Sequence, residues 1–205
     1  MQAGDLRLGE LICARVCHDL GGLAGTLAGT LDLAQDDPGG EAMALARETA
    51  LALSKRLKLL RAAFGPNSGP LRPADIAELA GGIGDRLQVN ASGLQPDPLP
   101  EEQARLALAM ILLCADALPS GGVVEVSGGS EGALRAVAHG PRAAWRPGAL
   151  QALDGDVPAT SSTFLAPFCA LLARLAGMSF SVDRSPPALS AKPRDGVRRR
   201  DARAL

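Results

Sequence analysis

The sequence predicts an α+β fold: an antiparallel helical hairpin at the N-terminus, then a second unit with one sheet and helices on a single face. Three observations carry this. Residues 6–64 hold two apolar patterns at helical spacing, parted by the turn signal Asp36-Asp37-Pro38-Gly39-Gly40. The stretch Phe64-Gly-Pro-Asn-Ser-Gly-Pro70 reads as a linker. Beyond it, helical patterns are interleaved with short strand patterns and no internal repeat is visible.

The first helix is expected from about Leu6 to Gln35. The second runs from Glu41 to about Phe64, with Ala46, Ala50, Leu53, Leu57, Leu60 and Phe64 three or four residues apart. A five-residue loop makes the two antiparallel. A lone hairpin covers only half of each apolar stripe, so two hairpins are expected to pair as a homodimeric four-helix bundle. Past the linker, Pro73 to Leu87 reads as a helix and Gln88 to Ala91 as a short strand. Glu101 to Leu118 is a strongly apolar helix entered through Pro100. Pro119-Ser-Gly-Gly122 turns into strand Val123 to Ser127, which pairs with Ala133 to His139 as a hairpin. A helical turn lies around Pro147 to Leu153. Ser161 or Ser162 caps a helix reaching Ala176, Gly177 stops it, and strand Ser179 to Val182 closes the domain. The units are therefore 1–65, 71–183 and a tail, 184–205.

Composition narrows the class. The chain has 205 residues, 47% apolar and 21% charged, as in an ordinary water-soluble protein with a substantial core. Only 2% are aromatic, which argues against stacking platforms for single-stranded nucleic acid. The net charge of −1 is unevenly spread: the tail holds seven basic residues against Asp195 and Asp201. Rich in Pro, Ala and Arg, it reads as disordered rather than as a nucleic-acid arm. The longest uncharged apolar run, Leu106 to Ala115, falls far short of the roughly 20 residues that span a bilayer. No signal pattern opens the chain, and Cys13, Cys17, Cys114 and Cys169 form no CxxC pair, so a reducing cytoplasm is expected.

The first helix carries an anomaly. "CARVCHDLGGLAGTLAGTLDLA", residues 13–34, holds four glycines, each costing about 1 kcal/mol of helix propensity relative to alanine, together with His18, one of two histidines. At about 100° per residue, Ile12, Val16, Leu20, Leu23, Leu27, Leu31 and Ala34 gather on one side. His18 lies opposite, sharing its face with Arg15, Gly22, Gly25, Gly29, Asp32 and Asp36. The glycines clear side chains from beside the imidazole, so another macromolecule's backbone can come close. Glycines at this spacing also let helices pack tightly, and exposed histidines are common on any surface.

An exposed histidine on a convex helix does not suit a Ser or Cys triad, whose base sits in a pocket. Cys13 and Cys17 lie at the edge of the apolar stripe, turned away from His18, with no fourth ligand in sight; no metal is expected, and they read as small core hydrophobes. Phosphoryl transfer fits. A neutral imidazole nitrogen is a good nucleophile near pH 7, the phosphoramidate it forms passes readily to a carboxylate, and in-line attack needs an open approach. Asp19 can hold the ring or accept a proton.

At "CHDLGGLAGTL" the chain resembles the dimerisation and phosphotransfer hairpin of two-component histidine kinases, whose motif is His-Glu/Asp-Leu. "ALAMILLCADALPSGGVVEVS" resembles the helix, turn and strand around the kinase ATP domain's first nucleotide motif, and "FLAPFCALLARLAGMSFSV" its final helix, Gly and strand. The order holds over residues 6–183. The departures are as informative. The kinase helix supplies an asparagine for magnesium and phosphates, yet the only asparagines are Asn67 and Asn90. The Asp-x-Gly-x-Gly motif is missing, and "GPRAAWRPGALQALDGDVPATSS" is short for a glycine-rich lid.

This combination resembles the ChpT-type histidine phosphotransferases of alphaproteobacteria, dimers with a degenerate ATPase-like (Bergerat-type) α/β sandwich domain that helps dock receivers. The resemblance implies that His18, with Asp19 beside it, takes a phosphoryl group from a receiver aspartate of a hybrid histidine kinase and gives it to a response regulator. It implies no ATP binding, and magnesium brought by the receiver. Where a kinase often has Thr or Asn to position water, Gly22 stands here, which suits a carrier. Arg15, Gly22, Gly25 and Gly29 are the expected docking residues; Lys55, Arg56, Lys58 and Arg61 on the second helix read as a solvated face that can also attract an acidic receiver. The alternatives are an ATP-dependent histidine kinase with divergent nucleotide motifs, a docking protein that carries no phosphate, and a purely structural dimer.

Overall fold

The computed structural model describes residues 3–35, 40–66, 69–129, 132–156 and 158–194. Two long helices, α1 (Ala3–Leu33) and α2 (Glu41–Phe64), form the expected hairpin. The four central residues of its connecting turn, and 195–205 of the tail, lie outside the described residues. Helix α1 is continuous through its glycines, and Thr26 and Thr30 donate their hydroxyls to the carbonyls of Gly22 and Thr26. No described helix is long and apolar enough to cross a membrane.

The second unit adds α3 (Pro73–Ala80), a 3₁₀ turn (Gly81–Ile83), β1 (Leu87–Gly93), α4 (Glu101–Asp116), β2 (Gly122–Gly128), β3 (Leu134–His139), α5 (Ala149–Asp154), α6 (Leu165–Leu175), β4 (Met178–Asp183) and β5 (Ala188–Pro193). The strands lie in the order β1-β2-β3-β5-β4, with β1 parallel to β2 and the other neighbours antiparallel. Burial alternates along the strands: Val124, Val126, Leu134, Ala136 and Ala138 face the helices, while Glu125, Arg135 and His139 face outward. One covered face and one open face make a two-layer α/β sandwich, as expected.

Helix α6 begins at Leu165, with Phe164 at its N-cap and no side-chain cap, rather than at the expected Ser161 or Ser162; two further boundaries also differ from expectation. The helix expected to reach Leu87 ends at Ala80, because Gly81-Gly82-Ile83-Gly84 has little helix propensity and Gly84 takes φ 136°, which favours glycine. A Cβ on Gly82 would sit 2.5 Å from the Lys55 carbonyl, so this turn packs directly on the α2 backbone. Second, the domain does not close at β4. Residues 188–193 of the expected tail form β5, inserted between β3 and β4, with Ala188, Leu189 and Ala191 fully buried. The short Ala/Leu pattern of β5, flanked by prolines, carries little strand signal beside the surrounding basic residues.

The two units share one core. Leu11 of α1 and Leu59 and Ala63 of α2 are buried in the same cluster as α4 and α6. Phe64 stacks obliquely on Phe164 and Phe168, at ring-centre distances of 6.0 and 5.4 Å. The hairpin is thereby held at a set angle to the sheet domain.

Candidate functional site

His18 is exposed near the middle of α1, and among the described residues nothing hydrogen-bonds its ring. Cβ atoms built on Gly21, Gly22, Gly25 and Gly29 meet nothing within 4 Å. Tight packing inside this chain therefore does not explain these glycines; they leave the backbone of the histidine's face bare. His139 ends β3 on the open face of the sheet, 3.4 Å from Glu125, and takes no part in the site.

Arg15 and Asp19 are placed differently from the sequence reading. The Arg15 side chain retains 13% exposure, and its guanidinium spans two carboxylates. Nη1 and Nη2 donate to Asp116 at 3.1 and 3.0 Å, and Nε donates to both Asp19 oxygens at 3.1 Å. Burial alone would lower the Arg15 pKa, but hydrogen bonding and charge from Asp116, with the charge of Asp19, outweigh it and raise it above the ordinary value. Arg15 is thus engaged within the chain, where it ties the hairpin to the end of α4. Asp19 takes a further bond, 2.9 Å, from Arg56 Nη2. With two arginines on it and 7% exposure, its carboxylate is engaged by guanidiniums beside the imidazole one position before it. Arg56 also leaves the expected solvated face: its side chain is 14% exposed and also donates to the Gly82 carbonyl, at 3.4 Å. Lys55, Lys58 and Arg61 are exposed, as expected.

Two clefts meet at His18. One, of about 560 Å³, lies between the hairpin and the 3₁₀ turn, with Gly22, Leu51, Lys55 and Gly81–Asp85 among its walls. The other, of about 470 Å³, brings His18 together with Asp116, Arg146, Ser161 and Ser162 of the sheet domain. No local pattern joins these residues to His18, since they reach it only through domain packing. The serines lie in a turn before α6: the Thr163 and Phe164 N–H groups donate to the Thr160 carbonyl, and the Thr160 N–H donates to Thr163 Oγ1, which leaves Ser161 and Ser162 at the cleft. A Gly-Gly-Ile-Gly run inside an apparent helix was the one local sign of the first cleft.

Cys13 and Cys17 are exposed in the single chain rather than core residues. Among the described residues no His, Cys, Asp and Glu group could hold a metal ion. Helix α4 buries every side chain from Leu106 to Cys114.

A family model described as the histidine phosphotransferase C-terminal domain matches residues 73–188. More than half of the chain is matched, and the chain belongs to that family. It is 31% identical over 133 residues to the protein phosphotransferase ChpT of Brucella abortus strain 2308, which covers 59% of this chain and 60% of the relative. The match thus spans less than two thirds of that relative's length. A solved structure of a bacterial phosphotransferase superposes with a TM-score of 0.76 at 25% identity, covering 94% of this chain and 98% of the other.

Proposed function

We propose that this protein is the phosphohistidine carrier of a two-component phosphorelay, with His18 as the residue that bears the phosphoryl group. The observation that supports this most strongly is an exposed, unengaged imidazole in a row of glycines whose backbone faces open space. The donor is an acyl phosphate on a receiver aspartate of a hybrid histidine kinase. A neutral nitrogen of His18 attacks phosphorus as the P–O bond to the aspartate breaks, and the carboxylate departs with the bonding electrons. The other ring nitrogen gives up its proton to solvent, because Asp19 is occupied by Arg15 and Arg56. Delivery to a response regulator reverses these steps on a second receiver carboxylate. Magnesium belongs to the receiver.

We place the protein in the cytoplasm as a homodimer; what supports the dimer is that the hairpin leaves large apolar side chains exposed, Leu6, Leu31 and Leu57 among them at 44% to 54%. It does not bind ATP: α4 offers no asparagine, and its Leu106–Cys114 stretch is committed to packing. A calorimetric titration with magnesium-ATP is expected to give no dissociation constant below about 100 µM, roughly −5.5 kcal/mol; tighter binding would favour the kinase reading.

Incubation with a phosphorylated receiver domain tests the carrier role. Wild type is expected to take label and His18→Ala none. Gly25→Arg is expected to lose transfer through blocked docking, since the new side chain meets open space in the chain and arginine is the better helix former. Normal transfer by Gly25→Arg would remove this face as the docking surface, and a docking protein without carriage would leave wild type unlabelled.

A further inference from the structure

The cleft that joins His18 to the sheet domain contains an unequal set of charges. Three guanidiniums, of Arg15, Arg56 and Arg146, face two carboxylates, of Asp19 and Asp116. Arg15 and Arg56 are nearly covered and make short hydrogen bonds to those carboxylates. Arg146 differs. Its side chain is 49% exposed, and its one ion pair, to Asp116 Oδ1, is 3.7 Å long, beyond hydrogen-bond range. That carboxylate already accepts two bonds from Arg15. Arg146 is therefore the charge in excess, held at the rim of the recess His18 opens into. Ser161 and Ser162 line the same recess with hydroxyls; Ser162 shares a hydrogen bond with Thr160, whereas Ser161 has none among the described residues.

We infer that this recess is a phosphoryl-oxygen subsite: Arg146, with the Ser161 hydroxyl, binds the oxygens of the group carried on His18 and so acts as a positioning residue for transfer. The inference rests on the reading of His18 as the phosphosite. A phosphoryl group brings negative charge and three strong acceptor oxygens, which an arginine matches with paired donors. Carriage by His18 would then draw Arg146 from its long pair with Asp116, at little cost because Arg15 continues to neutralise that carboxylate. The phosphoryl group would also bridge hairpin and sheet domain, so the phosphorylated chain would be more stable than the free one by the amount that Arg146 favours phosphorylation.

The test uses phosphoramidate, a donor with no receiver surface, on the full chain. Its P–N bond breaks as the bond from His18 to phosphorus forms, and ammonia leaves. At matched donor and ammonium concentrations, Arg146→Ala is expected to reach a labelled fraction about threefold lower than wild type, the scale of a partly exposed ion pair. Arg146→Lys is expected to retain most of the label. The urea midpoint is expected to rise on phosphorylation in wild type and to stay unchanged in Arg146→Ala, with the unphosphorylated midpoints alike. Equal labelling and an equal rise in wild type and Arg146→Ala would overturn the subsite while leaving His18 as carrier. An Arg146→Lys protein as poor as Arg146→Ala would overturn it too, since charge would not be what acts. Undiminished labelling of His18→Ala would remove the carrier reading itself.

Discussion

His18 and Asp19 line the same clefts but differ in what holds them. One helical step of about 100° takes the first to open solvent and the second to two arginines. His18→Ala is accordingly expected to change stability by no more than about 0.5 kcal/mol in urea unfolding, as for an exposed site without partners; a loss of several kcal/mol would mean the imidazole is engaged. Arg15→Ala is the opposite case. It leaves the nearly buried carboxylates of Asp19 and Asp116 without their shared partner, and removing one member of such a network costs roughly 3 kcal/mol or more. Urea unfolding with a difference below about 1 kcal/mol would contradict that. The wheel located His18 and the bare glycines correctly. It left Arg15 on an open face, and Arg56 was expected on a solvated face of the second helix; both are nearly covered because a second domain packs there, and no local periodicity records what packs against a helix.

At the scale of elements, the long helices were legible because their apolar spacing persists over many turns, whereas β5 was not. A six-residue strand of small residues after two prolines carries little signal, and its place between β3 and β4 is fixed by pairing with segments some 50 and 10 residues away. The packing of α4 on α6 has a pH signature. Burial pushes the Cys114 thiol up to about 12, and burial, then the neighbouring charge of Cys114, holds Cys169 well above the usual thiol range. Both thiols ionise near about 8.5 in the unfolded chain. The native state therefore keeps protons that the unfolded state releases, so this contribution is complete below about pH 8.5 and is lost on rising toward 12. The urea midpoint is expected to fall between pH 8.5 and 10, with a shallower fall in Cys114→Ala. An unchanged slope in that variant would mean the thiol is not shielded as the packing implies.

For the whole molecule, a single hairpin fused to the sheet domain still leaves apolar side chains of both helices uncovered. Leu6 and Leu31 of α1 and Leu57 of α2 are about half exposed, and Cys13 and Cys17 lie on the same side of α1. Pairing two hairpins on that side would bury these groups and leave both His18 faces open to receivers. Light scattering at micromolar concentration is expected to give twice the chain mass, and Leu31→Glu with Leu57→Glu the mass of one chain; a monomeric wild type would remove the four-helix bundle. That the two sequence units share a core was not legible from the Gly- and Pro-rich linker, which marks a break in local pattern and says nothing about the surfaces on either side of it.

The most direct measurement is the position of the phosphate itself. Wild-type protein charged by a phosphorylated receiver domain would be digested under alkaline conditions, which preserve phosphohistidine, and the phosphopeptide sequenced by mass spectrometry. Phosphate on the peptide containing His18, lost on acid treatment, is the expected result. Phosphate on the peptide containing His139, on a carboxylate, or on no residue of this chain would contradict the assignment of His18 as the carrier.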